Sequence, residues 1–205
     1  MRRSIIVLTL ILVLVPASTT LAADKYTIDP AHCHIGFSVR HLVINNIRGR
    51  FTDYAGSIIY DEQDITRSSV EITIKAQSIN TDVQPRDEHL RTSEFFDVAK
   101  FPDITFKSTR VEKRGSGFVA TGVFTMHGVA KEITIPFRIN GKSNFQGGTH
   151  LGVEGTVVID RRDFGMSWSA TLDNGGLVVG NDVTIELNIE AVRQRVKGEW
   201  EKGKG

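Results

Sequence analysis

Hydrophobic and polar residues alternate with a period of two through most of this chain, whereas a helical period is nearly absent. Ile35, Phe37 and Val39 are separated by small or polar residues, and residues 133–139 and 183–189 repeat the pattern. Successive side chains of a strand point to opposite faces of a sheet, so each run predicts a strand with one apolar face. Eight strands are predicted, at residues 35–40, 51–60, 70–75, 103–111, 117–126, 132–139, 151–160 and 183–190.

One internal segment, residues 84–97, departs from this alternation. It places Pro85 in the first turn of a predicted helix and acidic residues directly after it, which is typical of helix N-termini. Ser93 can cap a second short turn through Phe95 and Phe96. We therefore expect one or two short helices between strands 3 and 4. An irregular stretch is expected at residues 161–168.

Eight antiparallel strands in one domain must protect their edges, and closure into a barrel does so. The predicted fold class is therefore all-β: an eight-stranded antiparallel up-and-down barrel with a short helical insertion between strands 3 and 4. The apolar face of each strand then points inward. A barrel of this strand number is either filled by its own side chains or holds one small or thin ligand, and the alternation alone favours neither.

The first 22 residues have the organisation of a secretory signal peptide. Arg2 and Arg3 precede an apolar run at residues 5–15, and small residues follow Pro16 up to Ala22. The run is much shorter than the roughly 20 residues of a membrane-spanning helix; an uncleaved anchor is the alternative. We expect cleavage near Ala22, a barrel domain at residues 23–192, a loose charged tail at 193–205, and a location in the periplasm or outside the cell.

Composition excludes several classes of protein. A formal net charge of +1 gives no electrostatic footprint for nucleic acid. The single cysteine, Cys33, excludes an internal disulfide and a cysteine-based zinc site. We expect a partly buried thiol without a role, with dimerisation through this thiol as the alternative.

Metal binding and catalysis are not predicted. His32 and His34 share a strand face, but zinc generally needs three or four protein ligands, and nothing in the spacing adds Asp29 or His150. The chain has no G-x-S-x-G, Gly-rich phosphate loop or H-E-x-x-H motif. We therefore predict a protein that is not an enzyme and has no cofactor.

Four segments are similar to a known family. They are YTIDPAHCHIGFSVRHL at residues 26–42, RGRFTDYAGSI at 48–58, RDEHLRTSEFFDVAKFPDITFKST at 86–109 and TGVFTMHGVAKEITIPF at 121–137. In this order and over nearly the whole mature chain, they resemble the YceI-like, polyisoprenoid-binding family. One position departs from the family pattern, because Cys33 stands where the family usually has serine.

The resemblance implies a lipocalin-like extended barrel in the periplasm that encloses the tail of an isoprenoid lipid, such as a quinone or a polyprenyl phosphate. The inward apolar residues would then contact the tail, and three phenylalanines of the inserted segment would close one end or form a mouth. The predicted tail-binding residues are Ile35, Phe37, Val39, Phe51, Val70, Ile72, Ile74, Phe95, Phe96, Phe101, Phe106, Phe124, Ile135, Phe137, Val157, Ile185 and Leu187.

The polar head of such a lipid needs a few well-placed hydrogen-bond donors. His41 has the same strand parity as Ile35, Phe37 and Val39, and Arg86 and His89 are three residues apart on one helical face. With Arg91, these three are the predicted head-binding residues. The alternatives are that His41 is a core histidine bonded to the backbone and that Arg86 pairs with a neighbouring acidic residue at the surface.

The predicted function is carriage, storage or sequestration of the lipid without chemical change. A filled barrel that acts as a stress or interaction protein is the alternative, and an enzyme acting on an amphiphile is the less favoured one. The sequence leaves open a homodimer and a transient contact with a membrane or a membrane redox protein.

Overall fold

The computed structural model describes residues 23–171 and 176–194, so the predicted signal peptide and residues 195–205 of the predicted tail lie outside the described residues. The strands are β1 (Asp24–Ile28), β2 (His34–His41), β3 (Asn45–Phe51), β4 (Tyr54–Tyr60), β5 (Ser69–Lys75), β6 (Ile79–Asn80), β7 (Asp103–Arg114), β8 (Gly117–Met126), β9 (Val129–Phe145), β10 (Gly148–Asp160) and β11 (Val179–Arg193). One α-helix, α1 (Gln84–Arg91), and four 3-10 turns (Pro30–His32, Ile65–Arg67, Ala76–Ser78 and Arg161–Phe164) complete the described elements.

The sheet closes on itself. Antiparallel pairing runs in the order β1, β4, β5, β7, β8, β9, β10 and β11, and the C-terminal part of β11 returns to β1, where Tyr26 pairs with Arg193 and Ile28 with Ala191. Closure pairs the edges that an open sheet would leave exposed. The predicted all-β, eight-stranded antiparallel barrel is confirmed, and α1 lies between the third and fourth barrel strands as predicted.

Three barrel strands are interrupted and continue as a second segment: β1 continues as β2, β3 as β4 and β5 as β6. β1 and β2 follow one another along β11, separated by the turn Pro30–His32, and β2 pairs with β3, which pairs with the short β6. The sequence missed β1, β6 and most of β3. In β3 only Ile47 and Phe51 are apolar, and Asn45 and Gly49 take the other two positions of the same parity, so the alternation is weaker than in the other strands.

The insertion is held against β6 by polar contacts. Asp87 of α1 is buried and accepts hydrogen bonds from the Thr81 backbone N–H (2.8 Å) and hydroxyl (2.5 Å). Arg91 donates to the carbonyls of Gln77 and Ile79 at 2.9 and 2.8 Å. Of the one or two short helices expected, one forms, and residues 93–96 form hydrogen-bonded turns.

Two further expectations need correction. Residues 161–168 are not irregular throughout, since Arg161–Phe164 form a 3-10 turn that ends at Gly165 with a φ of 77°. The tail does not begin at residue 193, because Arg193 belongs to β11 and the Gln194 N–H donates to the Lys25 carbonyl at 2.7 Å. In the part of the chain that the structure describes, no helix combines the length and apolar character that crossing a bilayer requires.

Candidate functional site

The barrel is hollow. It encloses a cavity of about 230 Å³ that is lined by residues from all eight barrel strands and from the inserted segment. One buried water needs roughly 10–15 Å³ of such space, so the cavity is many times larger than a packing defect. The strand pattern allowed a barrel filled by its own side chains or a barrel with a central cavity. The structure has the cavity.

Strand parity positions the cavity wall. Sixteen of the seventeen predicted tail-binding residues line the cavity: Ile35, Phe37, Val39, Phe51, Val70, Ile72, Ile74, Phe95, Phe96, Phe106, Phe124, Ile135, Phe137, Val157, Ile185 and Leu187. Several of them are only half-buried although they face inward, because the cavity leaves part of their surface uncovered. That these residues contact a ligand stays a prediction.

Phe101 does not reach the cavity. Its ring lies against the ring of His127 at a centroid distance of 4.8 Å. The ring also fills the space beside Gly128, where a β-carbon added to the glycine would lie 2.4 Å from a Phe101 ring carbon. The two other phenylalanines of the insertion do line the cavity. The Phe96 ring packs edge-on against Phe51 at 5.9 Å, and the Phe95 ring contacts Trp168 at 5.1 Å.

Further residues line the cavity beyond the predicted tail-binding residues. Ile133 and Ile139 of β9, Ile159 of β10, and Val183 and Ile189 of β11 also face the cavity. Each has the same strand parity as a residue that was named, so the alternation contained the signal that would have found them. Leu90, Met126 and Met166 line the cavity as well.

The four predicted head-binding residues do not line the cavity. Arg86 donates to the Thr81 hydroxyl and carbonyl, both at 2.7 Å. Arg91 donates to the backbone carbonyls of Gln77, which precedes β6, and of Ile79 in β6. His89 contacts Glu94 and the rings of Phe95 and Trp168. His41, at the end of β2, is paired with Asn45 and Val179.

The charged residue that does face the cavity is Arg161, which sequence reasoning missed. It is 4% exposed and is the one charged side chain among the described residues that line the cavity. Burial in this apolar surrounding lowers the pKa of Arg161 from its ordinary value. A signal was present, because Arg161 continues the inward parity of Val157 and Ile159 beyond the end of β10.

A group of ionisable residues lies around the turn Pro30–His32. Donor atoms of Asp29, His32 and Glu190 are within 4.8 Å of one another, and His150 Nδ1 lies 2.7 Å from Glu190 Oε1. The hydrogen bond between His32 and Asp29, at 2.8 Å, raises the pKa of His32 and lowers that of Asp29. His34, which the sequence placed beside His32, is not part of this group.

Cys33 faces the backbone of β11. Its thiol donates to the Glu190 carbonyl at 3.2 Å and accepts from the Glu190 N–H at 3.0 Å, and burial raises its pKa. The residue does not line the cavity. The replacement of serine by cysteine at this position therefore leaves the cavity wall unchanged.

Comparisons with known proteins agree with this architecture. The model of the YceI-like domain matches residues 26–191. A UPF0312 protein from Pseudomonas paraeruginosa is 36% identical over 87% of this chain and 91% of its own length. The crystal structure of the YCEI protein from Campylobacter jejuni is 31% identical, with a TM-score of 0.66 over 76% of this chain and 90% of that one. A polyisoprenoid binding domain from Saccharophagus degradans shares the fold at 15% identity, with a TM-score of 0.61 over 85% of this chain and 100% of that one.

Proposed function

The chain belongs to the YceI-like family, and from this premise we propose that its barrel binds the hydrocarbon tail of an isoprenoid lipid, of the quinone or polyprenyl phosphate type. The observation that carries the proposal is the cavity itself, whose wall consists almost entirely of isoleucine, valine, leucine, methionine and phenylalanine side chains. A solved neighbour of the same fold is a polyisoprenoid binding domain, which supports the same ligand class.

Burial of the tail is sufficient to explain binding. A chain of several isoprene units places a few hundred Å² of carbon surface in contact with the wall, and at about 25 cal/mol/Å² this gives on the order of 10 kcal/mol before ordering costs are subtracted. No reactive group is needed for this affinity. We therefore propose a binding protein that carries, stores or sequesters the lipid unchanged, rather than an enzyme, and one that requires no cofactor.

The proposed cellular location rests on the N-terminal segment. Residues 1–22 have the charged start, short apolar core and small-residue end of a signal peptide. We propose export to the periplasm or the exterior. A carrier in an aqueous compartment has to shield the lipid tail from water, which an enclosed apolar cavity does.

Extraction of the natively purified protein tests the proposal. Protein from its own host, or from a host that makes isoprenoid lipids, is extracted with organic solvent, and the extract is analysed by mass spectrometry. We expect an unmodified isoprenoid lipid in near-stoichiometric amount. Protein that yields no lipid and takes up none from added isoprenoids would overturn the proposal and favour an interaction protein. Recovery of a chemically altered lipid would point to an enzyme instead.

A further inference from the structure

The environment of Arg161 differs from that of every other residue in the cavity wall. Among the described lining residues the remaining polar side chains are Tyr60, Ser68 and Ser69, and all three are uncharged. Arg161 lies at the end of the barrel that carries α1, where it immediately follows β10 and shares the cavity lining with Met166 and Val179. An apolar cavity whose described lining has one cation, at one end, matches an amphiphile with one polar end.

The hydrogen bonds of Arg161 leave part of its guanidinium available. Nε donates to the Gly180 carbonyl at 2.9 Å and one terminal nitrogen donates to the Met166 carbonyl at 2.7 Å. The other terminal nitrogen makes two long contacts, to the Val179 carbonyl at 3.4 Å and to Asn181 Oδ1 at 3.3 Å. Because a guanidinium has five N–H donors, one N–H on the nitrogen that bonds Met166 has no acceptor among the described residues.

Among the described residues Arg161 has no ion-pair partner, and the carboxylate of Asp160 compensates its charge only from beyond ion-pair distance. All four acceptors are neutral, and no carboxylate of the described residues is within ion-pair distance of the guanidinium. The neighbouring carboxylate of Asp160 is instead bonded to Arg162, at 2.6 Å from one of its terminal nitrogens. A buried cation that no carboxylate contacts directly is unfavourable, and an anion brought into the same low-dielectric space stabilises it.

From these observations we propose that Arg161 binds a negatively charged oxygen group at the end of the lipid, so that the preferred ligands are isoprenoid phosphates rather than neutral isoprenoids. The inference rests on the proposed function and adds the class of head group to it. A guanidinium matches the geometry of a phosphate group and binds it more strongly than a neutral oxygen. A quinone carbonyl could accept the free N–H, but it carries no negative charge to balance that of Arg161.

A matched pair of ligands tests this directly. Geranylgeranyl phosphate and geranylgeraniol have the same hydrocarbon tail and differ in the head group alone, and the affinity of each is measured by displacement of a fluorescent apolar probe from delipidated protein. We expect the wild-type protein to bind the phosphate about tenfold or more tightly than the alcohol, as for a charge-assisted hydrogen bond.

The variants assign the preference to Arg161. Arg161→Met should bring the two affinities to within about threefold of each other while the affinity for the alcohol is unchanged, and Arg161→Lys should keep part of the preference. The matched control is Arg162→Met, because Arg162 is the adjacent arginine but is exposed and does not line the cavity. It should leave both affinities as in the wild type.

The outcomes separate this inference from the function on which it rests. Equal wild-type affinities for the phosphate and the alcohol would overturn the role of Arg161 and leave lipid binding intact. A preference that survives in Arg161→Met would do the same. If neither ligand binds the wild-type protein, the proposed function itself fails. Should Arg161→Met not fold, the wild-type comparison and Arg161→Lys still decide the question.

Discussion

The barrel wall and the end of the barrel that carries α1 are built on different principles. In the wall, the role of each side chain follows from its parity along a strand, as with Val157, which faces the cavity, and Val158, which is exposed. The second region is the α1 end, which we define as residues 81–101 and 161–168. There the position of a residue along the chain does not predict which way its side chain points. There Arg86, Arg91 and Arg161 all donate to backbone carbonyls of neighbouring segments.

This difference suggests which region would contribute affinity for a lipid tail and which would select among head groups. The wall offers a uniform apolar surface that any slender hydrocarbon can contact, so it provides affinity without distinguishing one tail from another. The α1 end brings aromatic rings and one buried guanidinium to the same cavity. If the barrel binds a lipid as proposed, discrimination between head groups therefore depends on a small number of residues whose positions are set by tertiary contacts.

The largest effect is expected from a charge placed in the wall. Val157→Asp puts an unpaired carboxylate in the cavity and should abolish lipid binding, with a loss of several kcal/mol in the free energy of unfolding. Val158→Asp places the same group on the exposed face of β10, where 57% of the side chain is accessible. It should change stability by less than about 0.5 kcal/mol and leave binding intact. Lipid content and thermal denaturation measure both effects.

A milder pair keeps this comparison informative if Val157→Asp does not fold. Threonine has nearly the shape of valine, so Val157→Thr adds a hydroxyl to the cavity with little change in volume, at a cost of about 1–3 kcal/mol. Val158→Thr is its control. If the two threonine variants bind lipid equally weakly or equally well, the assignment of the inner face of β10 is wrong.

An intermediate effect is expected at the α1 end. Asp87→Ala leaves the N–H and hydroxyl of Thr81 without their acceptor and should cost about 1–3 kcal/mol. Because this contact holds α1 against β6, amide hydrogen exchange should increase over residues 81–101 and stay unchanged in β8, β9 and β10. Glu88→Ala, on the exposed side of the same helix, is the matched control.

The residues at which amide hydrogen exchange increases in Asp87→Ala show how the barrel wall and the α1 end are coupled. A rise confined to the insertion means that the α1 end opens as a unit of its own while the barrel stays closed. An equal rise in β8, β9 and β10 would contradict the division into two regions and would show that α1 stabilises the whole barrel.

The sequence predicts the wall well for a physical reason. Alternation requires nothing beyond local geometry, so the eight strands, the closed barrel and sixteen of the seventeen tail-binding candidates could be placed without knowledge of tertiary contacts. The exceptions are the short β1 and β6 and most of β3. In β3 the four positions that pair with the inward residues of β2 are Asn45, Ile47, Gly49 and Phe51, and two of them are not apolar, so the alternation is weak.

The α1 end was predicted poorly because its contacts depend on how turns fold back on one another, which no repeating local pattern specifies. Helical spacing placed Arg86 and His89 on one face, but it could not show that Arg86 bonds Thr81. Likewise, Phe101 follows two cavity-lining phenylalanines and yet packs on His127, in the turn between β8 and β9. Arg161 was not found because it lies one residue beyond the predicted and observed end of its strand, in a segment that the sequence predicts to be irregular.

The smallest predicted effect concerns the turn that carries Arg161. Hydrogen bonds from Arg162 lower the pKa of Asp160 to about 2, below its ordinary value. A lowered pKa in the folded state means that the ionised carboxylate stabilises the fold above the unfolded-state pKa of about 4, and that this contribution is lost as the pH falls towards 2. Asp160→Asn should therefore lower the free energy of unfolding at neutral pH by at most about 1 kcal/mol, since the pair is partly exposed.

The difference between Asp160→Asn and the wild type should shrink as the pH falls from about 4 to about 2, as measured by urea denaturation at a series of pH values. A difference that stays constant over this range would mean that the carboxylate acts through its shape in capping Arg161–Phe164 and not through its charge. Because Asp160 forms no hydrogen bond or ion pair with the guanidinium of Arg161 and acts on its charge only from a longer distance, the preference for an isoprenoid phosphate over the alcohol should survive this substitution. Loss of the preference would show instead that the α1 end positions its cation through the adjoining turn, and that the division between wall and α1 end begins one residue earlier.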